Sequence, residues 1–182
     1  MPASGIAYGL LDGAAAAERE DDLLALAGEV YGNAGDPAAA RRARVWRRQP
    51  GFALAEARHG GFLVGYASGM PLRPSTSWWR ELTTPLPSAV TTEHQGRTFA
   101  LTELLVRASW RRQGIGRDLH DLLLSGRTEE RATLTVAPDA GPAQRALRSW
   151  GWQKVARTRG DDPDGAVLDV LLLRLTQLAG RA

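Results

Sequence analysis

The chain has 182 residues, 43% of them apolar, a formal net charge of +3 and no cysteine. That length suits one ordinary domain with a real core. The absence of cysteine excludes disulfides, thiolate metal sites and a cysteine nucleophile, and it fits a reducing compartment. His59, His94 and His120 are scattered without ligand spacing, so no metal centre is expected. All the basic residues except Lys154 and the histidines are arginines, with no block of like charge and no recognition motif, so nucleic acid is not an expected partner. The N-terminus has no basic n-region, and no apolar run approaches membrane length. A soluble, cytoplasmic protein is expected.

In chain order, Ile6 to Leu11 reads as a strand ended by Asp12-Gly13. Ala14 to Tyr31 reads as one helix, with Leu23, Leu24, Ala27 and Val30 on one side and Glu18, Glu20, Asp21 and Glu29 largely on the other. Residues 32–35, Gly-Asn-Ala-Gly, break it. Asp36-Pro37 restarts a helix, cap then proline, that runs to about Gln49 before Pro50-Gly51. Phe52 to Arg58 and Phe62 to Met70 form a hairpin around Gly60-Gly61.

Pro71 to Gly96 is rich in proline, serine and threonine and carries the pair Trp78-Trp79. One short helix is expected around Trp78 to Leu82. The segment reads either as a lid or binding loop, or as a surface loop pinned by its tryptophans.

Thr98 to Val106 alternates as a strand, and Ile115, Leu119, Leu122 and Leu123 recur at helical spacing up to Gly126. Between them lies Arg111-Arg112-Gln113-Gly114-Ile115-Gly116. Strand, glycine turn and helix make an anion-binding geometry, because the first helix amides lack internal partners and carry the positive end of the dipole. A Gly-x-Gly turn alone is a weak signal. No Gly-Lys-Ser/Thr follows it and no third glycine completes a dinucleotide fingerprint.

Ala132 to Ala137 is a further strand. Gly141-Pro142 opens a helix with Ala143, Ala146, Leu147 and Trp150 on one face, closed by Gly151. Trp152 to Arg159 and Ala166 to Leu175 read as two last strands joined by the turn-rich residues 160–165. The order β-α-α-β-β-β-α-β-α-β-β calls for an α/β domain, a mixed sheet with helices on both faces.

The turn Arg111-x-x-Gly114-x-Gly116 resembles the acyl-CoA loop of the GNAT superfamily of N-acetyltransferases. The strand order agrees over most of the chain. Residues 143–152, AQRALRSWGW, are similar to that family's last helix, with the Trp-Gly-Trp ending and the Glu-Leu-Leu-Val strand of an actinobacterial branch. The resemblance implies a single GNAT domain over residues 1–182 and acetyl-CoA as co-substrate, with no metal. It also implies pyrophosphate held by the amides of Gln113, Gly114, Ile115, Gly116 and Arg117, with Arg111, Arg112 and Arg117 adding charge. A bulge at Leu105-Val106 would meet the pantetheine, the Val106 amide would face the acetyl oxygen, and two strands would splay to make the pantetheine slot.

Glu103 is the candidate general base. It shares a strand face with Phe99, Leu101 and Leu105, where a carboxylate is costly unless partnered or raised in pKa. A salt bridge to Arg107 or Arg97 is the structural alternative. Glu93 and His94, just before the strand, are further candidates. Trp78 and Trp79, with Glu81, could bind a cationic amine.

The family's tyrosine acid and cofactor-contacting asparagine correspond to Leu147 and Ala140 here, so neither role carries over. The departing thiolate would leave unprotonated, or take a proton from water or from a hydroxyl such as Ser149 or Tyr66. The expected activity is acetyl transfer to a small-molecule amine, with a protein lysine or N-terminus as another acceptor class. A non-catalytic acyl-CoA-binding protein is the alternative from a different class. No membrane partner is expected, and a homodimer remains open.

Overall fold

The computed structural model describes residues 5–32, 35–159 and 165–175. The chain divides into two compact units, Met1–Met70 with Leu101–Gly126 and Pro71–Ala100 with Arg127–Ala182.

In the first unit, β1 (Ile6–Asp12) pairs antiparallel with β2 (Ala53–His59), which pairs antiparallel with β3 (Phe62–Pro71). The expected helix from Ala14 to Tyr31 is two helices, α1 (Gly13–Ala17) and α2 (Glu20–Tyr31). One local contact and two distant ones accompany the break. The Asp12 carboxylate accepts from the Ala15 amide at 2.9 Å and starts α1. Gly13 lies so close to α3 (Pro37–Arg47) that a Cβ there would sit 2.0 Å from the Arg47 carbonyl oxygen. The carboxylate of Glu20, at the start of α2, is held by Arg44 and Arg47.

α2 opens on Glu20, Asp21 and Asp22 at the positive end of its dipole and closes on Gly32 at φ +69°. α3 starts as its sequence dictates, with the Asp36 carboxylate accepting from the Ala38 amide at 2.9 Å and Pro37 in the first turn. Leu23, Leu26, Phe52, Leu54, Leu63, Tyr66 and Leu105 form the core here. The expected break at 32–35 lies partly outside the described residues.

In the second unit, β5 (Arg131–Val136) pairs antiparallel with β7 (Val167–Arg174), which pairs antiparallel with β6 (Gln153–Arg159). α6 (Gly141–Ser149) buries Leu147. The expected turn joining β6 and β7 lies mostly outside the described residues.

Trp78 to Leu82 is a turn rather than the expected short helix, and the helical piece is α4 (Ser88–Thr91). Leu82 makes an isolated antiparallel bridge to Thr158 and the Thr83 amide donates to the Arg157 carbonyl at 2.8 Å, so this segment takes its bonds from β6 instead of from itself. Leu72, Trp79, Ala100, Ala156 and Val170 form the core of this unit.

β4 (Thr98–Val106) runs through both units, and the seven strands of the mixed sheet follow the order β1-β2-β3-β4-β5-β7-β6. β4 and β5 pair in parallel at three positions only, Thr98–Arg131, Phe99–Ala132 and Ala100–Thr133. Among the described residues no helix is long and apolar enough to cross a membrane.

Candidate active site

In the first unit, β4 leads through one 3-10 turn, Ala108–Trp110, into α5 (Ile115–Leu124). The turn is held from the strand side, where Arg111 Nε donates to the Val106 carbonyl oxygen at 2.9 Å. Arg112 takes φ +65° and Gly114 φ +87°. A Cβ at Gly114 would meet nothing within 4 Å, so that glycine is required by its backbone conformation and not by crowding.

Gly114 caps α5 with no side-chain bond to the first turn. The amides of Arg117 and Asp118 both donate to the Gly114 carbonyl, at 2.9 and 3.0 Å. Among the described residues the amides of Gln113, Gly114, Ile115 and Gly116 have no backbone partner. Of the expected five amides, four are free and that of Arg117 is engaged. Arg112 makes no hydrogen bond or ion pair among the described residues, whereas Arg117 Nε reaches Asp121 Oδ2 at 2.6 Å. Free helix-start amides beside arginine side chains fit a pyrophosphate by charge and donor geometry.

Gly65 explains how α5 and the end of β4 come so close to β3. A Cβ there would lie 2.9 Å from the Leu105 carbonyl oxygen, 3.1 Å from Leu119 Cδ1 and 3.2 Å from Val106 Cγ2. Ile115, Leu119 and Leu123, on the buried side of α5, are almost wholly covered.

The same unit carries a cavity of about 580 Å³ that is partly open to solvent. Its strand side carries Tyr66 and Ser68 of β3 and Glu103 of β4. Its helical walls include Leu23, Ala27 and Tyr31 of α2 and Arg42, Trp46 and Arg47 of α3. Glu103 accepts from the Tyr66 hydroxyl at 3.0 Å and, at a long 3.5 Å, from Ser68 Oγ. It makes no ion pair among the described residues.

The salt-bridge alternative for Glu103 therefore does not occur. Arg107 donates to the Leu63 carbonyl and pairs with Glu29, and Arg97 donates to the carbonyls of Ala89 and Thr92. The Glu103 side chain is half-buried because one side faces the cavity, but protein encloses the carboxylate elsewhere. That desolvation pushes its pKa above the usual carboxylate range, against the Tyr66 hydrogen bond and the more distant charges of Arg42 and Arg47. Burial and the Glu103 charge in turn hold the Tyr66 phenol well above its own range, so it stays a donor.

The remaining sequence candidates lie in the second unit, some in its interior and some on its surface. Trp79 is buried, donates Nε1 to Glu93 Oε1 at 2.9 Å, and has the Arg131 guanidinium 5.4 Å from its ring centre. Trp78 packs against the same core. Glu93 is buried and ion-paired to Arg131 at 2.9 Å. His94 sits on the surface 3.5 Å from Glu130. The Glu81 carbonyl accepts from Thr158 Oγ1 at 3.0 Å. Leu147 is buried, Ala140 precedes α6, and Ser149 Oγ already donates to the Ala146 carbonyl at 2.7 Å.

Sequence reasoning missed Gly65 and Arg42. Arg42 is four residues before Trp46 on α3, with its guanidinium 5.8 Å from that ring centre, and this spacing was the available signal. Among the described residues no cluster of acidic or histidine side chains could hold a metal.

Known proteins give the arrangement its family. The model of the acetyltransferase (GNAT) family matches residues 19–152. No curated protein matches the chain. Among solved structures, an aminoglycoside 6'-N-acetyltransferase complexed with coenzyme A is similar at 13% identity, covering 93% of this chain and 97% of that one, with a TM-score of 0.68. Ard1 from Thermoplasma volcanium is similar at 14% identity, covering 93% and 97%, with a TM-score of 0.65. The ribosomal-protein-S18-alanine N-acetyltransferase from Escherichia coli is similar at 15% identity, covering 93% and 94%, with a TM-score of 0.62. The family match spans well over half of the chain and includes both the Arg111–Gly116 turn and the strand that bears Glu103. The chain therefore belongs to the acetyltransferase (GNAT) family, whose members are acetyl-CoA-dependent N-acetyltransferases.

Proposed function

We propose that the protein acetylates a small-molecule amine by direct transfer, with Glu103 as general base, and that residues 1–182 work as one cytoplasmic acetyltransferase domain. The single observation that carries this reading is the carboxylate of Glu103, desolvated and without a cation partner, at a cavity large enough for a compact amine. A concave, largely apolar pocket of that volume suits a compact acceptor.

The amides of Gln113, Gly114, Ile115 and Gly116 are suited to the pyrophosphate, and the unpaired Arg112 with Arg111 to its charge. Leu105 and Val106 are the strand residues assigned to the pantetheine side. Bound acetyl-CoA supplies an activated acetyl thioester, whose C–S bond breaks as the new C–N bond forms. Glu103 takes a proton from the substrate ammonium, which frees the nitrogen lone pair. A raised pKa improves the match between this base and an amine, because less driving force opposes the transfer. Tyr66 donates to Glu103 and so orients its carboxylate. Once the C–N bond has formed the nitrogen gives up its second proton to solvent, and with leucine at position 147 and Ser149 engaged within its own helix the thiolate takes its proton from solvent.

A thermal-shift titration with acetyl-CoA, followed by an amine panel read through release of free thiol, tests the proposal. A ligand that binds only the folded state stabilises it by about 2.7 kcal/mol at a hundredfold excess over Kd. A clear shift with turnover of at least one small amine is expected. A shift without turnover of any amine would overturn the enzymatic assignment of Glu103.

A further inference from the structure

The charge lining the cavity is unbalanced, and this bears on the acceptor; the step rests on the reading of that cavity as the acceptor site. α3 brings Arg41, Arg42, Arg44 and Arg47 to the lining. Glu20 engages Arg44 and Arg47. Arg42 has no carboxylate partner among the described residues and lies along Trp46. The lining carboxylates are Asp36 and Glu103, and Asp36 is already the cap of α3. Most of the remaining lining is apolar, with Leu23, Leu24, Ala27, Phe52 and Leu54.

We infer that the acceptor is a monoamine with a hydrocarbon or aromatic body and one anionic group, a carboxylate, held at Arg42, and that the cavity rejects polycationic amines. Each part answers to one feature of the lining. The apolar wall gains by covering a hydrocarbon body. A guanidinium without a partner offers a carboxylate two parallel N–H donors. A second ammonium on the acceptor would meet Arg41 and Arg42, with only the capping carboxylate of Asp36 on the lining besides Glu103, which is discrimination by repulsion. The selectivity is thus the reverse of what an aminoglycoside acceptor would need.

The test uses the full chain with acetyl-CoA and three amines: benzylamine, para-aminomethylbenzoate and kanamycin. Initial rates and calorimetric binding are both measured, so the answer does not depend on turnover. The benzoate should exceed benzylamine by roughly tenfold, the factor that corresponds to about 1.4 kcal/mol, mainly through KM. Kanamycin should be the weakest. In Arg42→Gln the benzoate preference should collapse to roughly twofold or less, and in Arg42→Glu it should invert towards kanamycin, by the same affinity arithmetic. A retained acetyl-CoA thermal shift reports that each variant is folded.

Tighter binding of kanamycin, equal binding of benzylamine and the benzoate, a preference that survives both variants, or no binding of any member would each overturn the inference. Arg42-dependent binding of the benzoate with no acetylation of any amine would leave the inference standing and overturn the proposed reaction instead.

Discussion

Glu93 of the second unit and Glu103 of the first are both glutamates set among apolar side chains, and their partners differ in kind. One oxygen of Glu93 receives Trp79 Nε1, Thr98 Oγ1 and Arg131 Nη2, each at 2.9 Å. Glu103 receives hydroxyls only, from Tyr66 at 3.0 Å and Ser68 at 3.5 Å. The nearest guanidiniums act on it as distant charges. Burial with a cation makes a structural ion pair, whereas burial with neutral donors makes a carboxylate that holds its proton more tightly. The difference between the two regions is therefore one between a carboxylate paired with a cation and one left to neutral donors, which suits the base role proposed for Glu103.

Breaking the ion-paired region should give the largest effect. Arg131→Met removes the cation from a buried carboxylate and should cost about 3–5 kcal/mol of stability. Urea unfolding would show this as a lower midpoint with an unchanged slope. A midpoint within error of the parent would mean that Glu93 does not depend on Arg131.

Glu103→Gln should act on the reaction and not on the fold. The expected loss in kcat is about a hundredfold or more, within the usual range for a general base. Stability near neutral pH should hold or rise, because an amide has no charge to desolvate. The sign follows from the raised pKa. In the wild type the contribution of Glu103 to stability is fully present below the unfolded-state carboxylate pKa and is lost as pH rises through the higher folded value. The glutamine variant should lack that component, and parallel melts across acidic and neutral pH would reveal it. Full activity in the variant would remove the base assignment.

The smallest effect sharpens the comparison within the site. Tyr66→Phe deletes the hydrogen bond that holds the Glu103 pKa down, so the pKa should rise further. The base is active when deprotonated, so the acid limb of the rate profile should move to higher pH. A limb that stays in place, or moves down, would mean that a different group titrates there.

Much of this was legible in the sequence because the signals are local. The alternation from Thr98 to Val106, the glycine turn and the apolar period of α5 all sit within one stretch of chain. Asp36-Pro37 declared the start of α3 in the same way. Contacts distant in sequence were harder to read. Trp78 and Trp79 resemble an exposed aromatic pair until Arg131, 52 positions beyond Trp79, is seen to face the Trp79 ring. The break between α1 and α2 depends on Arg44 and Arg47 reaching back to Glu20. Gly65 reads as any strand glycine, because the Leu105 carbonyl that forbids a side chain there lies 40 positions away. The acidic residue of the candidate site could be picked from its strand face, but its hydroxyl partners on β3 needed the register of the fold.

The division of labour around the cavity has a practical consequence. Glu103, Tyr66 and Ser68 stand on strands, whereas the arginines and most of the apolar wall stand on α2 and α3, which are clamped by Glu20. Retargeting the enzyme to another amine is then a matter of editing helix positions such as Arg42 and Leu24. A library confined to α2 and α3, with Glu20, Arg44 and Arg47 kept, would explore acceptor range while the proposed base and its hydroxyl donors are inherited unchanged.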